Sequence, residues 1–238
     1  MNNTFGKLYL IPTRLGDNPP LEVLPISVKK VIELVDDYIV ENEKTARRFI
    51  KKVVSRKQQS GLHFELLNKY TQPEEIQHFL DACKKGKPMG LLSEAGCPGI
   101  ADPGADIVRL AHENHIQVVP LVGPSSIVLA LMSSGMNGQS FAFNGYIPID
   151  KSERKATLKR LERLSFEQNQ TQLFIETPYR NQKILDDICA TLHPNTRVCI
   201  ACDITLPTEY IKTQTVKDWK HTNIDLHKRP AIFVIHKD

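Results

Sequence analysis

Two stretches of this sequence combine residue types suited to holding a small ligand. The first is Ser93-Glu-Ala-Gly-Cys-Pro-Gly-Ile-Ala-Asp-Pro-Gly104, which follows the apolar run Pro88 to Ser93. A strand that empties into a loop this rich in Gly and Pro lets backbone approach a ligand closely. The second is Gly123-Pro124-Ser125-Ser126, directly before the apolar stretch Ile127 to Ser133. Proline in a first turn and neighbouring serines suit a helix start whose free amides can hold a polar group, although Ser125 and Ser126 also fit as plain helix-start residues. A third feature is cationic. Arg47, Arg48, Lys51, Lys52, Arg56 and Lys57 crowd one segment, and the i, i+4 spacing of 47/48 with 51/52 would present them together on a helix, either to phosphates or simply to water.

Other chemistries lack their signatures. There is no Walker A pattern, no strand-linked G-x-G-x-x-G, no H-E-x-x-H and no G-x-S-x-G elbow, so nucleotide hydrolysis, hydride transfer, zinc proteolysis and serine hydrolysis all lose support. Cys199-x-x-Cys202 has a ligand-like spacing but no second pair and lies in an apolar run, which favours core cysteines and no metal site.

The elements that must position these loops follow from the hydrophobic pattern. Short apolar runs alternate with helical periods, the mark of an α/β chain with a largely parallel sheet. Strands are expected at Lys7 to Ile11, Asp37 to Glu41, Pro88 to Ser93, Ile116 to Leu121, Thr171 to Glu176, Arg197 to Ala201, Glu209 to Thr213 and Ala231 to His236. Helices are expected from Val28 to Val35, from a Thr71-x-x-Glu74 capping box to Gly86, over Ala105 to Asn114, Ile127 to Ser133 and Ser152 to Glu167, from about Pro178 with Thr177 as cap, and over Val216 to His221. Gly138 to Pro148 carries the aromatic residues Phe141, Phe143 and Tyr146 ahead of the charged Ser152 to Glu167 helix. The composition changes character after Gly135, and a domain boundary near Leu121 to Gly123 divides the chain into an N-terminal α/β domain, 1–121, and a C-terminal α/β domain, 122–238.

The 238 residues are 41% hydrophobic and 24% charged, an ordinary globular balance, and the net charge of +4 does not by itself indicate a nucleic-acid binder. The five cysteines are sparse and odd in number, which points to a reducing, cytoplasmic setting. Residues 1–18 lack the basic-then-apolar pattern of a signal peptide, and the run Val118 to Met136 is broken by Pro120, Gly123 and Pro124, so no membrane span is expected.

Five segments in order, Leu8-Tyr-Leu-Ile-Pro-Thr-Arg-Leu-Gly16, the Ser93 to Gly104 loop, Val119-Pro-Leu-Val-Gly-Pro-Ser-Ser126, Phe143-Asn-Gly-Tyr146 and Ile175-Glu-Thr-Pro-Tyr-Arg180, resemble the tetrapyrrole methylase superfamily. Among its branches the chain is most similar to the small-subunit ribosomal RNA 2′-O-methyltransferase I group. The resemblance implies two α/β domains, each a mixed or parallel sheet flanked by helices, with S-adenosylmethionine in a cleft between them and usually a homodimer. By matching positions it implies donor contacts from Pro12, Ala95, Gly96, Cys97, Ile100, Ser125, Ser126, Glu176, Ile204, Pro230 and Ala231. It implies methyl transfer to a ribosomal RNA 2′-hydroxyl, with ribosomal RNA or the small subunit as partner. Glu41 is then the candidate general base, or else a helix cap or an ordinary ion-pair partner of Arg47 or Arg48. Arg47, Arg48, Lys51, Lys52 and Arg180 are candidate substrate contacts.

The sequence departs from the pattern in places. The usual Pro-Ile-Gly-Asn stretch of the first loop is Thr13-Arg-Leu-Gly-Asp17 here; the Glu-Asp pair of the second segment is Glu41-Asn42; and Leu206 replaces a basic residue after Thr205. Two other readings use the same fold: a C-methyltransferase acting on a corrin or porphyrin precursor, and a non-catalytic RNA-binding relative.

Overall fold

The computed structural model describes residues 5–238. They form two compact units, one running to Ser125 and the other spanning Ser126–Asp238.

The first unit contains β1 (Leu8–Ile11), α1 (Pro20–Val23), α2 (Ile26–Leu34), β2 (Asp37–Val40), α3 (Glu43–Val53), β3 (His63–Leu66), α4 (Pro73–Ile76), α5 (Asp81–Lys84), β4 (Met89–Leu92), α6 (Ala105–Glu113) and β5 (Val118–Pro120). Its five strands lie in the order β3-β2-β4-β1-β5, and every pairing is parallel. Side chains alternate across each strand and so feed two cores. Ile11, Tyr38, Val40 and Leu92 pack with Val28, Ile32, Phe49 and Ile50 on one face, while Leu8, Ile39, Met89 and Leu91 pack with Leu80, Ile107 and Leu110 on the other. Burial on both faces explains why Tyr38 to Val40 of β2 and all of β4 read as unbroken apolar runs.

α3 positions much of the chemistry. Asn42 caps it, its side chain accepting from Lys44 N at 3.0 Å and Thr45 N at 3.2 Å. Ala46, Phe49, Ile50 and Val53 form its buried stripe, which turns Arg48 and Lys52 together onto another face.

The second unit contains α7 (Ser126–Ser134), β6 (Phe141–Tyr146), α8 (Lys151–Gln168), β7 (Thr171–Ile175), α9 (Asn181–Thr191), β8 (Arg197–Cys202), β9 (Tyr210–Thr215), α10 (Val216–Trp219) and β10 (Ala231–His236). Its strands lie in the order β6-β7-β10-β8-β9; β6 and β7 are parallel and the other neighbours antiparallel. Leu158, Leu161, Phe174, Ile184, Ile188, Ile200, Trp219 and Phe233 fill the core on one face, and α7 packs against β8, β9 and β10. Arg154 on α8 is fully buried, with Nε and Nη2 each 2.7 Å from Asp187 Oδ2 on α9.

Several expected elements differ. The capping box belongs one residue later: Gln72 is the cap, and its amide donates to Glu75 Oε2 at 2.8 Å. Thr71 instead closes the turn after β3, accepting from Asn68 N and donating to Leu66 O. The single helix expected to reach Gly86 is two short ones, because the turn between them sends the adjacent Phe79 and Leu80 into the core. The helix expected from Pro178 starts at Asn181 with Arg180 as its cap; Thr177 does not cap it. β6 runs through the aromatic-bearing segment, for which the sequence pattern assigns no element, and β3 is an additional edge strand. Cys199 and Cys202 are both buried in β8, and their odd spacing puts them on opposite faces of the sheet, where no ion could join them.

Candidate functional site

Three adjacent strands of the first unit, β4, β1 and β5, release loops at the carboxyl edge of the sheet, and these loops are tied to one another. Thr13 N donates to Gly96 O at 2.9 Å, joining the loop after β1 to the loop after β4. Cys97 Sγ donates to Pro124 O at 3.4 Å, joining the loop after β4 to the one after β5. Pro12 packs so closely on Gly123 that a Cβ there would stand 2.2 Å from Pro12 Cγ. Gly96 and Gly99 hold φ of +79° and +77°, left-handed conformations that glycine adopts without steric penalty. Pro12, Gly96 and Cys97 are thus brought together, while Ala95 and Ile100 are exposed on the same loop and Ser125 follows Pro124. Ser126 starts α7 in the second unit.

In the second unit, the end of β7, the start of β10 and the end of β8 are neighbours, because β10 runs antiparallel to both. This gathers Glu176, Ala231, Pro230 and Ile204, with Asp203 N donating to Pro230 O at 3.0 Å. Asp203, Thr205 and Lys228 all hold positive φ, of 51°, 73° and 60°. A β-branched residue in this region is a genuine outlier, and such strain persists only where the surroundings enforce it. Arg229 supplies some of that constraint, with Nε 2.8 Å from Asp203 Oδ2 and Nη2 donating to Thr208 O at 2.7 Å. Glu176 is buried; its Oε1 accepts from Thr177 N, and Arg180 Nη2 lies 3.0 Å from its Oε2. Arg180 is therefore committed to Glu176.

The remaining candidates surround the ends of β2 and β4. Glu41 borders a small hollow with Leu67, Leu91, Asp102 and Gly104. Desolvation, and then the charges of Asp102 and Glu94, push the Glu41 carboxyl above its ordinary range. Burial likewise raises Asp102, which accepts from the Gly99 and Gly104 amides.

Beside this lies a cavity of about 440 Å³, lined by Thr13 to Asp17, Val40, Leu92 to Glu94 and the α3 residues Thr45, Ala46, Arg48, Phe49 and Lys52. The basic segment thus divides. Arg48 and Lys52 face the cavity. Arg47 instead stacks on the Phe64 ring at 4.5 Å, pairs with Glu43 at 2.7 Å and donates to Gln59 O. Lys51 is exposed, and Lys57 is tied to Asp36 and the Val35 carbonyl. Sequence reasoning missed Thr13, Arg14, Glu94 and Asp102. The usable signal was positional, since Arg14 lies three residues past the end of a parallel strand, where α/β sheets place ligands.

A model of the tetrapyrrole (corrin/porphyrin) methylases matches residues 22–219. The chain belongs to the tetrapyrrole methylase family. Among curated relatives, the ribosomal RNA small subunit methyltransferase I of Buchnera aphidicola subsp. Schizaphis graminum is 27% identical over 98% of this chain and 79% of its own length. The protein of that name from Pasteurella multocida is 29% identical over 99% of this chain and 80% of its own. The one from Escherichia coli O157:H7 is 28% identical over 88% and 69%. Solved structures of tetrapyrrole methylase fold also match. The methyltransferase CobJ aligns with a TM-score of 0.63 at 13% identity, covering 98% of this chain and 94% of that one. Uroporphyrin-III C-methyl transferase from Thermus thermophilus, complexed with S-adenyl homocysteine, aligns at 0.58 and 14%, covering 98% of both chains. Among the described residues, no helix is long and apolar enough to cross a membrane.

Proposed function

We propose that this tetrapyrrole methylase family member is an S-adenosylmethionine-dependent methyltransferase that methylates a 2′-hydroxyl of ribosomal RNA. The observation that carries this reading is the span of the similarity: relatives named ribosomal RNA small subunit methyltransferase I align with 88% to 99% of this chain. The cation-lined cavity at the carboxyl edge of the first sheet supports an anionic acceptor.

The residues present fit such a donor. Pro12, Ala95, Gly96, Cys97, Ile100 and Ser125 in the first unit, and Ser126, Glu176, Ile204, Pro230 and Ala231 in the second, are assigned to holding it. Gly96 and Gly123 let the loops after β1, β4 and β5 pack closely on one another, which brings the backbone of the first group together. In the second, Thr205 Oγ1 and Asn181 Oδ1 are buried without a hydrogen-bond partner among the described residues, and so have bonding capacity to offer. When bound, the donor supplies a methyl group already activated by its positive sulfur. The protein's main task is then to orient the reactants, an effect worth about 7–11 kcal/mol in well-aligned systems. Glu41 accepts the hydroxyl proton, and its raised pKa makes it a stronger base than an ordinary glutamate. Arg48, Lys51 and Lys52 meet the RNA backbone. Arg47 and Arg180 act through Phe64 and Glu176, which they hold. We further assign the protein to the cytoplasm as a homodimer, and size-exclusion chromatography with light scattering measures the latter.

The test is transfer of labelled methyl from S-adenosylmethionine. Label recovered as a 2′-O-methylnucleoside from small-subunit RNA supports the reading. Label accepted only by a porphyrin precursor transfers the protein to tetrapyrrole C-methylation. Absence of donor binding by calorimetry, with RNA binding retained, leaves a non-catalytic relative.

A further inference from the structure

The cavity beside α3 has a charge arrangement that family membership leaves unexplained. Arg14, Arg48 and Lys52 stand on its walls. Asp17 bridges two of them with a single oxygen, Oδ1 lying 2.7 Å from Arg14 Nη2 and 2.7 Å from Lys52 Nζ. Its side chain is nevertheless 81% exposed, so water screens the pairs and they hold it weakly. Arg14 is fixed from behind by a hydrogen bond to the Asn18 carbonyl. Among the described residues Arg48 makes no ion pair, so the wall keeps an uncommitted cation.

A second observation points to a ligand in the same place. Thr13 lines the cavity, is only 5% exposed, and its Oγ1 has no hydrogen-bond partner among the described residues. A buried hydroxyl left in this way is costly unless something binds it. The other acidic wall residue, Glu94, is engaged by Thr45 Oγ1 at 2.7 Å.

We propose that this cavity seats one phosphodiester of single-stranded RNA, and that Asp17 occupies the anion position until the RNA displaces it. The inference rests on the RNA reading above. One anionic oxygen between Arg14 and Lys52 is where a phosphate oxygen would bind, and a phosphodiester has a second free oxygen for Arg48 and the Thr13 hydroxyl. About 440 Å³ is the size of a small-ligand pocket. Phe49, the aromatic residue on its walls, is 8% exposed, so the site offers no stacking platform and suits backbone in preference to base. A concave seat also favours a splayed single strand over a duplex, which is recognised across its minor groove.

Fluorescence anisotropy with labelled oligouridylate tests this, because phosphate contacts do not depend on sequence. The double variant Arg48→Ala/Lys52→Ala should weaken binding about tenfold at low salt and reduce the slope of log affinity against log salt by about 0.7, the value for each phosphate that a protein neutralises on a single strand. Asp17→Asn, a change at an exposed position, should tighten binding about threefold at the same salt. Wild-type RNA binding that neither variant alters overturns the phosphate seat and leaves the RNA reading standing. Asp17→Asn binding equal to or weaker than wild type overturns the displacement. A wild-type protein with no salt-dependent affinity for RNA overturns both the seat and the reading it rests on.

Discussion

The two units build five-stranded sheets of opposite character and shape their loops by opposite means. In the first, all pairings are parallel, and the left-handed positions at Gly96 and Gly99 fall on glycine. In the second, most pairings are antiparallel, and the turn after β8 and the approach to β10 place Asp203, Thr205 and Lys228 in the same backbone region. Glycine enters that region at little cost, whereas each non-glycine residue costs about 1–3 kcal/mol that surrounding contacts must offset. Outside the loop after β4, the other two non-glycine cases, His115 and Asn169, sit at helix ends, where this conformation is common. The loop after β4 thus takes its shape mainly from glycine, with Ala101 (φ 61°) the exception, whereas the turns at 203–205 and 228 take theirs from enforced strain, although the second unit also holds Gly135 (φ 68°) and Gly145 (φ 63°) elsewhere.

If that contrast is right, the second unit depends more on its buried polar anchors. Arg154→Ala should produce the largest effect, a loss of about 3–5 kcal/mol, because it strands Asp187 beneath α8 and α9. Chemical denaturation measures it, and a loss below about 1 kcal/mol, the range of a surface pair, would show that the pair is dispensable.

The first unit should be sensitive to added atoms. Gly123→Ala introduces a Cβ 2.2 Å from the rigid Pro12 ring. It should cost about 1–3 kcal/mol by overpacking and lower affinity for S-adenosylmethionine at least tenfold, as read by calorimetry. Unchanged affinity would remove Pro12 from the donor site.

The smallest effect on stability concerns Glu41. Its carboxyl holds a proton in the folded state over a window above the ordinary glutamate value of 4.5, because ionisation there is opposed by burial and by Asp102 and Glu94. The folded protein binds the extra proton in that window, so Glu41 makes stability fall as pH rises through it. Glu41→Gln should therefore melt slightly higher than wild type at neutral pH and no differently below the window, while losing methyl transfer. A variant that melts lower at neutral pH would show that the Glu41 carboxylate supports the fold instead of opposing it.

The same contrast explains what could be read from sequence. β10, whose six residues are all buried, and α6, with its regular apolar stripe, stood out because their patterns are local. So did the glycine loop of the first unit, since glycine advertises an unusual backbone. β3 was illegible because it is an edge strand with three of four residues exposed. β6 was obscured by a register shift between Phe143 and Tyr146, with Gly145 inside it. The strained turns of the second unit carry no glycine and gave no signal. Arg14, Asp17 and Lys52 meet only through the approach of α3 to the first loop, across 35 residues of chain, and no spacing rule reports such a meeting.

The strand order of the second sheet bears on how this protein is made. β10 lies between β7 and β8, so the parallel pair β6-β7 and the antiparallel pair β8-β9 stay unconnected fragments until residues 231–236 have been synthesised. The first unit suffers no such delay, since all its strands are complete by Pro120. A nascent chain would thus carry one half with all its strands present and one with two sheet edges still awaiting β10, edges of the kind that pair wrongly with other chains.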